Sequence, residues 1–268
     1  MSVDLDVVVL PAFADLADLP AETAPWETAY DLTGALDLDG LTQPLRHTDS
    51  GLGLVPTGVG KTAAATTTAA LLGSERIALD GALVLSVGVA GAPPSIPVGS
   101  VVISDRIVDW DDKCRFGDEV AMNPYTEQQG YYELDADLVG EIERLGSTVD
   151  LAGPEADQPR VLRGTNLCGD EIWHGAKTAT QADWLAAQYD AAPYRVTEME
   201  DAGTAAALDR FDRLDSYCAI RGVSNHDRPT GTQSARESFF DEEFEAGFET
   251  GIENAAAVAR VVVDSRLD

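Results

Sequence analysis

Short apolar, β-branched runs recur along this chain with helical stretches between them, and that alternation limits its fold more than any other feature. The runs lie at residues 7–10, 52–55, 82–89, 101–108, 160–163, 194–197 and 218–223. They are too short for helices and apolar on successive positions, so they read as strands buried on both faces. Helices are expected over 61–72, 134–144, 179–188 and 201–210. The last helix is marked by Phe240, Phe244, Phe248, Ile252, Ala255, Ala259 and Val263, whose spacing of three and four residues makes one apolar face. The pattern predicts an α/β fold in a single domain over residues 1–268, with a central mixed β-sheet, largely parallel, flanked by helices on both faces. Residues 153–159 are the most loop-like stretch. In such sheets the ligand sits beyond the carboxyl ends of the strands, which is where this chain gathers glycines and polar residues.

Composition narrows the partners. With 44% hydrophobic residues among 268, the chain can bury a substantial core. It carries 18 Lys plus Arg against 47 Asp plus Glu, a formal net charge of -29, which repels nucleic acid and anionic membranes. The acids are spread along the whole chain, and lysine is confined to Lys61, Lys113 and Lys177. This resembles the surface of a halophile, the alternative being an ordinary acidic protein: at molar salt the screening length falls to about 3 Å and acidic self-repulsion largely vanishes. Cys114, Cys168 and Cys218 form no Cys-x-x-Cys pair, so reduced thiols are expected and a zinc knuckle is not. Neither a basic-then-apolar leader nor an apolar run of about 18 to 20 residues is present, and a cytoplasmic protein without a membrane partner is expected.

Four segments carry chemistry. Gly60-Lys61-Thr62 has the ending of a P-loop, but the glycine required five positions before the Gly-Lys pair is Val55. What remains is a strand, a turn with Gly58 and Gly60, and a helix start that offers backbone N–H groups to an anion or a ribose. The alternative is a purely structural tight turn. The segment from Ser86 through Gly88 to Gly91 ends another strand with small residues, so a ligand can approach its backbone closely, although helix packing explains it equally well. Glu198-Met199-Glu200 leads straight into Asp201 and an alanine-rich helix. Carboxylates on either side of a methionine suit a sugar: Glu200 can accept from ribose hydroxyls while Met199 offers a polarizable surface, the alternative being a helix cap. Arg221 to Asp227 closes the final strand with a burst of polar groups, among them Asn225, which can both donate to and accept from a purine edge. His226 is a candidate acid, though a lone histidine at a strand end is more often structural.

In this order the segments resemble the purine nucleoside phosphorylase and nucleosidase superfamily over almost the entire chain. Residues 169–175, 198–201 and 224–229 narrow the resemblance to its purine nucleoside permease-like branch. A chain without an apolar span cannot itself carry a solute across a bilayer, so the chemistry expected is that of the wider superfamily. The resemblance implies phosphorolysis of guanosine or inosine to free base and ribose 1-phosphate, with phosphate as co-substrate and no metal or organic cofactor. It implies Asn225 and Asp227 as catalytic groups at the base, with Asp227 supplying a proton by turning inward. Glu198, Met199, Glu200, Gly58, Gly60, Gly88, Cys168 and Trp173 are expected to bind substrate, and Arg46 and Arg236 phosphate. It also implies a homo-oligomer, with residues 109–125 near the subunit interface.

The sequence departs from the family at three points. Ser86 and Val89 stand where phosphorylases carry an arginine and a serine for phosphate. The turn Leu10-Pro11-Ala12-Phe13 lacks the acid with which nucleosidases activate water. Asn225 replaces an aspartate, which favours 6-oxopurines because an amide donates a hydrogen bond without ionising. The competing readings are a nucleosidase that uses water and a nucleoside-binding protein without catalysis. A metal-dependent hydrolase is disfavoured because Asp109-Trp110-Asp111-Asp112 lies mid-chain. The acidic composition generates one expectation for stability: the melting temperature rises between about 0.05 M and about 2 M KCl as the screening length shortens. A melting temperature insensitive to salt would remove the halophile argument.

Overall fold

In the computed structural model the apolar runs assemble into a ten-stranded sheet. The structure describes residues 2–17, 19–126, 130–153, 158–240 and 242–268, and only the backbone at 242–245. Its strands are β1 (Val3–Asp4), β2 (Val7–Leu10), β3 (Gly34–Leu36), β4 (Leu45–His47), β5 (Leu52–Leu54), β6 (Ile77–Ala78), β7 (Leu83–Ala92), β8 (Val101–Asp109), β9 (Lys113–Phe116), β10 (Glu119–Met122), β11 (Tyr131–Glu133), β12 (Val161–Cys168), β13 (Tyr194–Glu198) and β14 (Tyr217–His226). The helices are α1 (Ala24–Ala29), α2 (Lys61–Leu72), α3 (Ala136–Gly146), α4 (Ala176–Gln188), α5 (Asp201–Arg210), α6 (Ala235–Phe239) and α7 (Glu242–Leu267). No described helix is long and apolar enough to cross a membrane.

The sheet runs β11-β8-β12-β13-β7-β2-β5-β4-β3, and β14 pairs with both β7 and β8. Because β14 is parallel to β7 and antiparallel to β8, strands β7, β14, β8, β12 and β13 close into a ring. The mixed sheet is as expected; the closure depends on long-range pairing that no local pattern announces. One irregularity in the ring creates room for a site. On the side of β7 away from β14, β2 pairs only as far as Ser86 and β13 only at Gly91. Between those points the edge of β7 is open. Next to it, β14 shifts register between Val223 and Asn225, a bulge that re-aims the side chains at its end. The small-residue segment Ser86 to Gly91 lies within β7, which continues to Ala92.

Helices cover both faces of the sheet. The apolar stripe of α7 packs across β14 and β7, burying Phe248, Ile252, Ala255, Ala259 and Val263 as the spacing predicts. Phe240 departs from that expectation: it follows α6 rather than lying on α7, and its ring is exposed. The side chain of Phe244 lies outside the described residues, as do residues 154–157 of the expected loop. Asp135 caps α3 by accepting the N–H of Leu138 at 2.8 Å, one turn before the buried Leu138, Val139 and Ile142. The short hairpins β3–β4 and β9–β10 were not expected, since neither has a long apolar run.

The contact that matters most for the site is between α2 and α5. A Cβ on Gly203 would lie 2.1 Å from the carbonyl oxygen of Lys61, so only glycine lets the first turns of the two helices meet. That approach brings the turn before α2 against the residues before α5. A Gly203→Ala substitution is expected to push the helices apart at a cost of about 1–3 kcal/mol, lowering the melting temperature by roughly 2–4 °C per kcal/mol in a chain of this size. Unfolding scans of the variant check this; an unchanged melting temperature would mean that the contact is slack.

Candidate active site

A cavity of about 370 Å³ opens where β2, β7, β13 and β14 end, in the gap beside the open edge of β7. Phe13, Leu19, Val59, Trp173 and Phe248 supply much of its apolar wall. Its polar lining includes Glu22, Glu198, Glu200, Ser224, Asn225 and Asp227. Among the described residues, no lysine, arginine or histidine lines it.

Behind the carboxylates lies Arg221, which is 1% exposed. It reaches this position because β14 places it opposite Gly88 of β7, pointing under the cavity floor. Its Nε and Nη2 donate to Asp201 at 2.9 and 2.5 Å, and Nη2 also lies 2.9 Å from both Glu198 Oε2 and Ser86 Oγ. Nη1 lies 3.5 Å from Glu200 Oε2. Asp201, fully buried at the start of α5, accepts further bonds from Tyr217 at 3.0 Å and Asn166 at 2.7 Å. Glu198 Oε2 accepts the N–H groups of Glu200 and Asp201 at 2.7 and 3.0 Å, so the junction between β13 and α5 folds back on its own carboxylate. Glu200 Oε1 accepts the N–H of Gly60 at 3.0 Å. Burial raises both acids above the ordinary carboxylate range: the neighbouring Asp201 pushes Glu198 further up, while the Arg221 guanidinium holds Glu200 back.

The sequence reading missed Glu22. This residue is 3% exposed and fills the space beside Gly88, where a Cβ would lie 2.4 Å from Oε1. Its Oε2 accepts the N–H of Ala12 at 2.6 Å, and Oε1 accepts the N–H of Val89 at 2.9 Å, the donor left open at the edge of β7. Burial raises its carboxyl, opposed by Arg221 and the two backbone donors. The turn at Leu10 to Phe13 does lack an acid, but one arrives from ten residues further on. Nothing in Pro20-Ala21-Glu22-Thr23-Ala24-Pro25 separates Glu22 from the chain's other acids; its partners exist only in the folded state.

The remaining expectations divide. Met199 lies in the wall between Glu198 and Glu200, and Trp173 lines the cavity while its ring sits 5.9 Å from that of Trp110. Asn225 also lines the cavity; its Oδ1 accepts from Ser224 Oγ and its Nδ2 donates to the carbonyl of His226, both at 2.8 Å. Asp227 does not turn inward as a free acid. Its Oδ1 accepts from Arg228 Nε at 2.6 Å, and its Oδ2 accepts from Tyr194 at 2.5 Å and Arg228 Nη2 at 3.2 Å. His226 Nε2 faces the carbonyl of Ile96 at 3.2 Å, a structural contact.

Gly58, Gly60 and Gly88 stand behind the cavity rather than in its wall, and Val59 and Val89 line it instead. The N–H groups at the start of α2 are engaged by the protein itself: Gly60 donates to Glu200, and Lys61 donates to Asp170 at 2.8 Å. Cys168 is fully buried away from the cavity, and burial pushes its thiol well up. Neither expected phosphate-binding arginine reaches the cavity of its own chain. Arg46 donates to the carbonyl of Leu32 at 2.6 and 3.1 Å, on the β3–β4 side of the sheet. Arg236 is exposed on α6 with its guanidinium 5.9 Å from the Phe240 ring. The arginine at the centre of the site is Arg221.

The chain is similar to 5'-methylthioadenosine/S-adenosylhomocysteine nucleosidase from Neisseria meningitidis, solved in complex with methylthio-immucillin-A, at 19% identity over 97% of this chain and 98% of that one, with a TM-score of 0.71. It is similar to the nucleosidase of the same name from Colwellia psychrerythraea, solved in complex with adenine, at 20% identity, 100% and 96% coverage and a TM-score of 0.70. Futalosine hydrolase from Helicobacter pylori superposes with a TM-score of 0.67 at 16% identity, covering 98% of both chains. At these identities the likeness speaks for the fold alone. No curated protein sequence matches at a significant level. A family model described as the phosphorylase superfamily matches residues 47–264, which include every strand of the cavity except β2, and the chain belongs to that superfamily.

Proposed function

We propose that this protein is a nucleosidase, hydrolysing the N-glycosidic bond of a ribonucleoside with water as the acceptor. One observation carries the choice over phosphorolysis: the backbone donors that would cradle a phosphate already hold the protein's own carboxylates. Glu22 takes the N–H groups of Ala12 and Val89, while Glu200 and Asp170 take those of Gly60 and Lys61. A phosphate entering that space would meet like charge with no cationic side chain in the described wall to offset it. The nucleosidases and the hydrolase among the similar structures support the same reading.

The residues divide the work as follows. Glu200 accepts hydrogen bonds from ribose hydroxyls, and Met199 lies against the sugar. Glu22 takes a proton from water as its oxygen attacks C1′, and the C1′–N bond breaks through an oxocarbenium-like sugar. The carboxylates beside that sugar stabilise its developing positive charge. Ser224 and Asn225 meet the base. Arg221 is a positioning residue, holding Glu198, Glu200 and Asp201 together. The exposed Phe116 and Tyr125 on the segment 109–125 support its assignment to a contact between subunits of a homo-oligomer. Light scattering checks this; a fully active monomer would contradict it.

Three outcomes are expected of the reaction. Free ribose, not ribose 1-phosphate, accumulates, and the rate is the same with and without phosphate; a phosphate-dependent rate would restore the phosphorylase. Glu22→Gln lowers kcat by roughly 10²- to 10⁴-fold, the usual worth of a general base, with a much smaller effect on KM. As a base Glu22 acts ionised, and burial raises its carboxyl, so kcat/KM climbs with pH above the ordinary carboxylate range and then levels off. A profile already flat from the ordinary carboxylate range upward would remove Glu22 from that role.

A further inference from the structure

The cavity holds a base but no acid to match it at the leaving group. A neutral purine leaves as an anion unless it is protonated as the bond breaks, and a positioned acid is typically worth about 10²- to 10⁴-fold in rate. At the end of β14 that acid is missing. Asn225 carries an amide, Asp227 has both oxygens bonded to Arg228 and Tyr194, and His226 points its Nε2 at the carbonyl of Ile96. Among the described residues lining the cavity there is no histidine, lysine, arginine, tyrosine or cysteine. Glu22, Glu198 and Glu200 gather around Arg221, on the side of the cavity assigned above to the sugar, and Glu171 is exposed at the rim.

The same cavity is built for positive charge. Glu22, Glu171, Glu198, Glu200 and Asp227 line it, and the guanidinium groups nearest to them, Arg221 and Arg228, are already bonded to carboxylates. Glu198, almost completely buried, keeps its Oε1 without a hydrogen-bond partner. Aromatic rings, including Phe13, Trp173, Phe240 and Phe248, form part of the wall, and such faces attract cations.

Resting on the hydrolase reading above, we propose that the preferred substrate is a cationic nucleoside, in which ribose is joined to a nitrogen heterocycle that bears a fixed positive charge. Pyridinium ribosides and N7-alkylated purine ribosides have this chemistry. Water attacks C1′ and yields its proton to Glu22. The electron pair of the C1′–N bond returns to the ring and cancels its charge, so the base leaves neutral and needs no acid. The products are ribose and the neutral base, and the proton on Glu22 passes to solvent. The amide of Asn225 then serves to hold the base, and the carboxylates favour the cation before reaction and the oxocarbenium-like sugar during it.

The experiment compares kcat/KM for 7-methyladenosine and nicotinamide riboside with that for adenosine, guanosine and inosine on the wild-type enzyme. The expected kcat/KM for the cations exceeds that for the neutral nucleosides by roughly 100-fold or more, the contribution of the missing acid. In Asn225→Asp, which installs an acid, the preference for 7-methyladenosine over adenosine should fall at least about tenfold, chiefly because adenosine is cleaved faster. Neutral nucleosides hydrolysed as efficiently as the cations would overturn the charge inference and leave the nucleosidase standing. Cleavage of none of the five would overturn the nucleosidase reading and this inference with it.

Discussion

One guanidinium holds this site together. Arg221 is buried among Glu198, Glu200 and Asp201, and through them β14 is tied to the end of β13 and the start of α5. Ser86 joins β7 to the same group. Removing one partner from a buried ion cluster typically costs about 3–5 kcal/mol, because the charges left behind keep their desolvation penalty and lose their compensation. Burial is the main reason that Glu22, Glu198 and Glu200 hold their protons more tightly than free carboxyls do, and the cluster's excess of carboxylates over guanidinium groups adds to it. A cation brought into the cavity supplies part of the missing compensation. An anion adds to the imbalance.

The second constraint is the accounting of backbone donors. A strand edge buried beside a cavity must satisfy its N–H groups, and a ligand, a water or a side chain can do so. Here β2 stops at Ser86, β13 starts only at Gly91, and the carboxylate of Glu22 bonds the N–H of Val89 between them. At the start of α2 the N–H groups of Gly60 and Lys61 are likewise bonded to Glu200 and Asp170. A fold that elsewhere could present these groups to an anion has internalised the anion. In the hydrolase proposed above the same carboxylate serves as the base, so one feature both disfavours phosphate and activates the water.

What could be read from the sequence follows from which interactions are local. The buried strands, the apolar face of α7 and the junction at Glu198 to Asp201 are set by residues adjacent in the chain or spaced by one helical turn, and they were found where expected. The closure of the ring was invisible because β14 reaches β7 and β8 from more than a hundred residues away. Glu22 was missed because its partners, the N–H groups of Ala12 and Val89, meet it only in the folded chain. Arg46 and Arg236 were selected by their place in the chain, but Arg46 answers a carbonyl within its own hairpin region and Arg236 stays on the surface. Asp227 shows a different limit. Ser224, Asn225 and Asp227 reach one cavity at the end of β14, yet the adjacent Arg228 and the distant Tyr194 decide what the Asp227 carboxyl can do.

Salt separates the two populations of charge in this chain. The acids scattered over the surface face solvent, where ions at molar concentration reduce the range of their repulsion to about 3 Å. Glu22, Glu198 and Glu200 are 3%, 7% and 6% exposed, and counter-ions cannot surround them. Screening that relieves the surface therefore leaves the cavity field nearly intact, since buried charges are screened much less than exposed ones. A net charge of -29 describes solubility and self-repulsion, and it would be a poor guide to substrate if the site shared the surface's environment. Because the site does not share it, the proposed discrimination between a neutral, a cationic and an anionic ligand is expected to persist at salt concentrations that erase long-range steering.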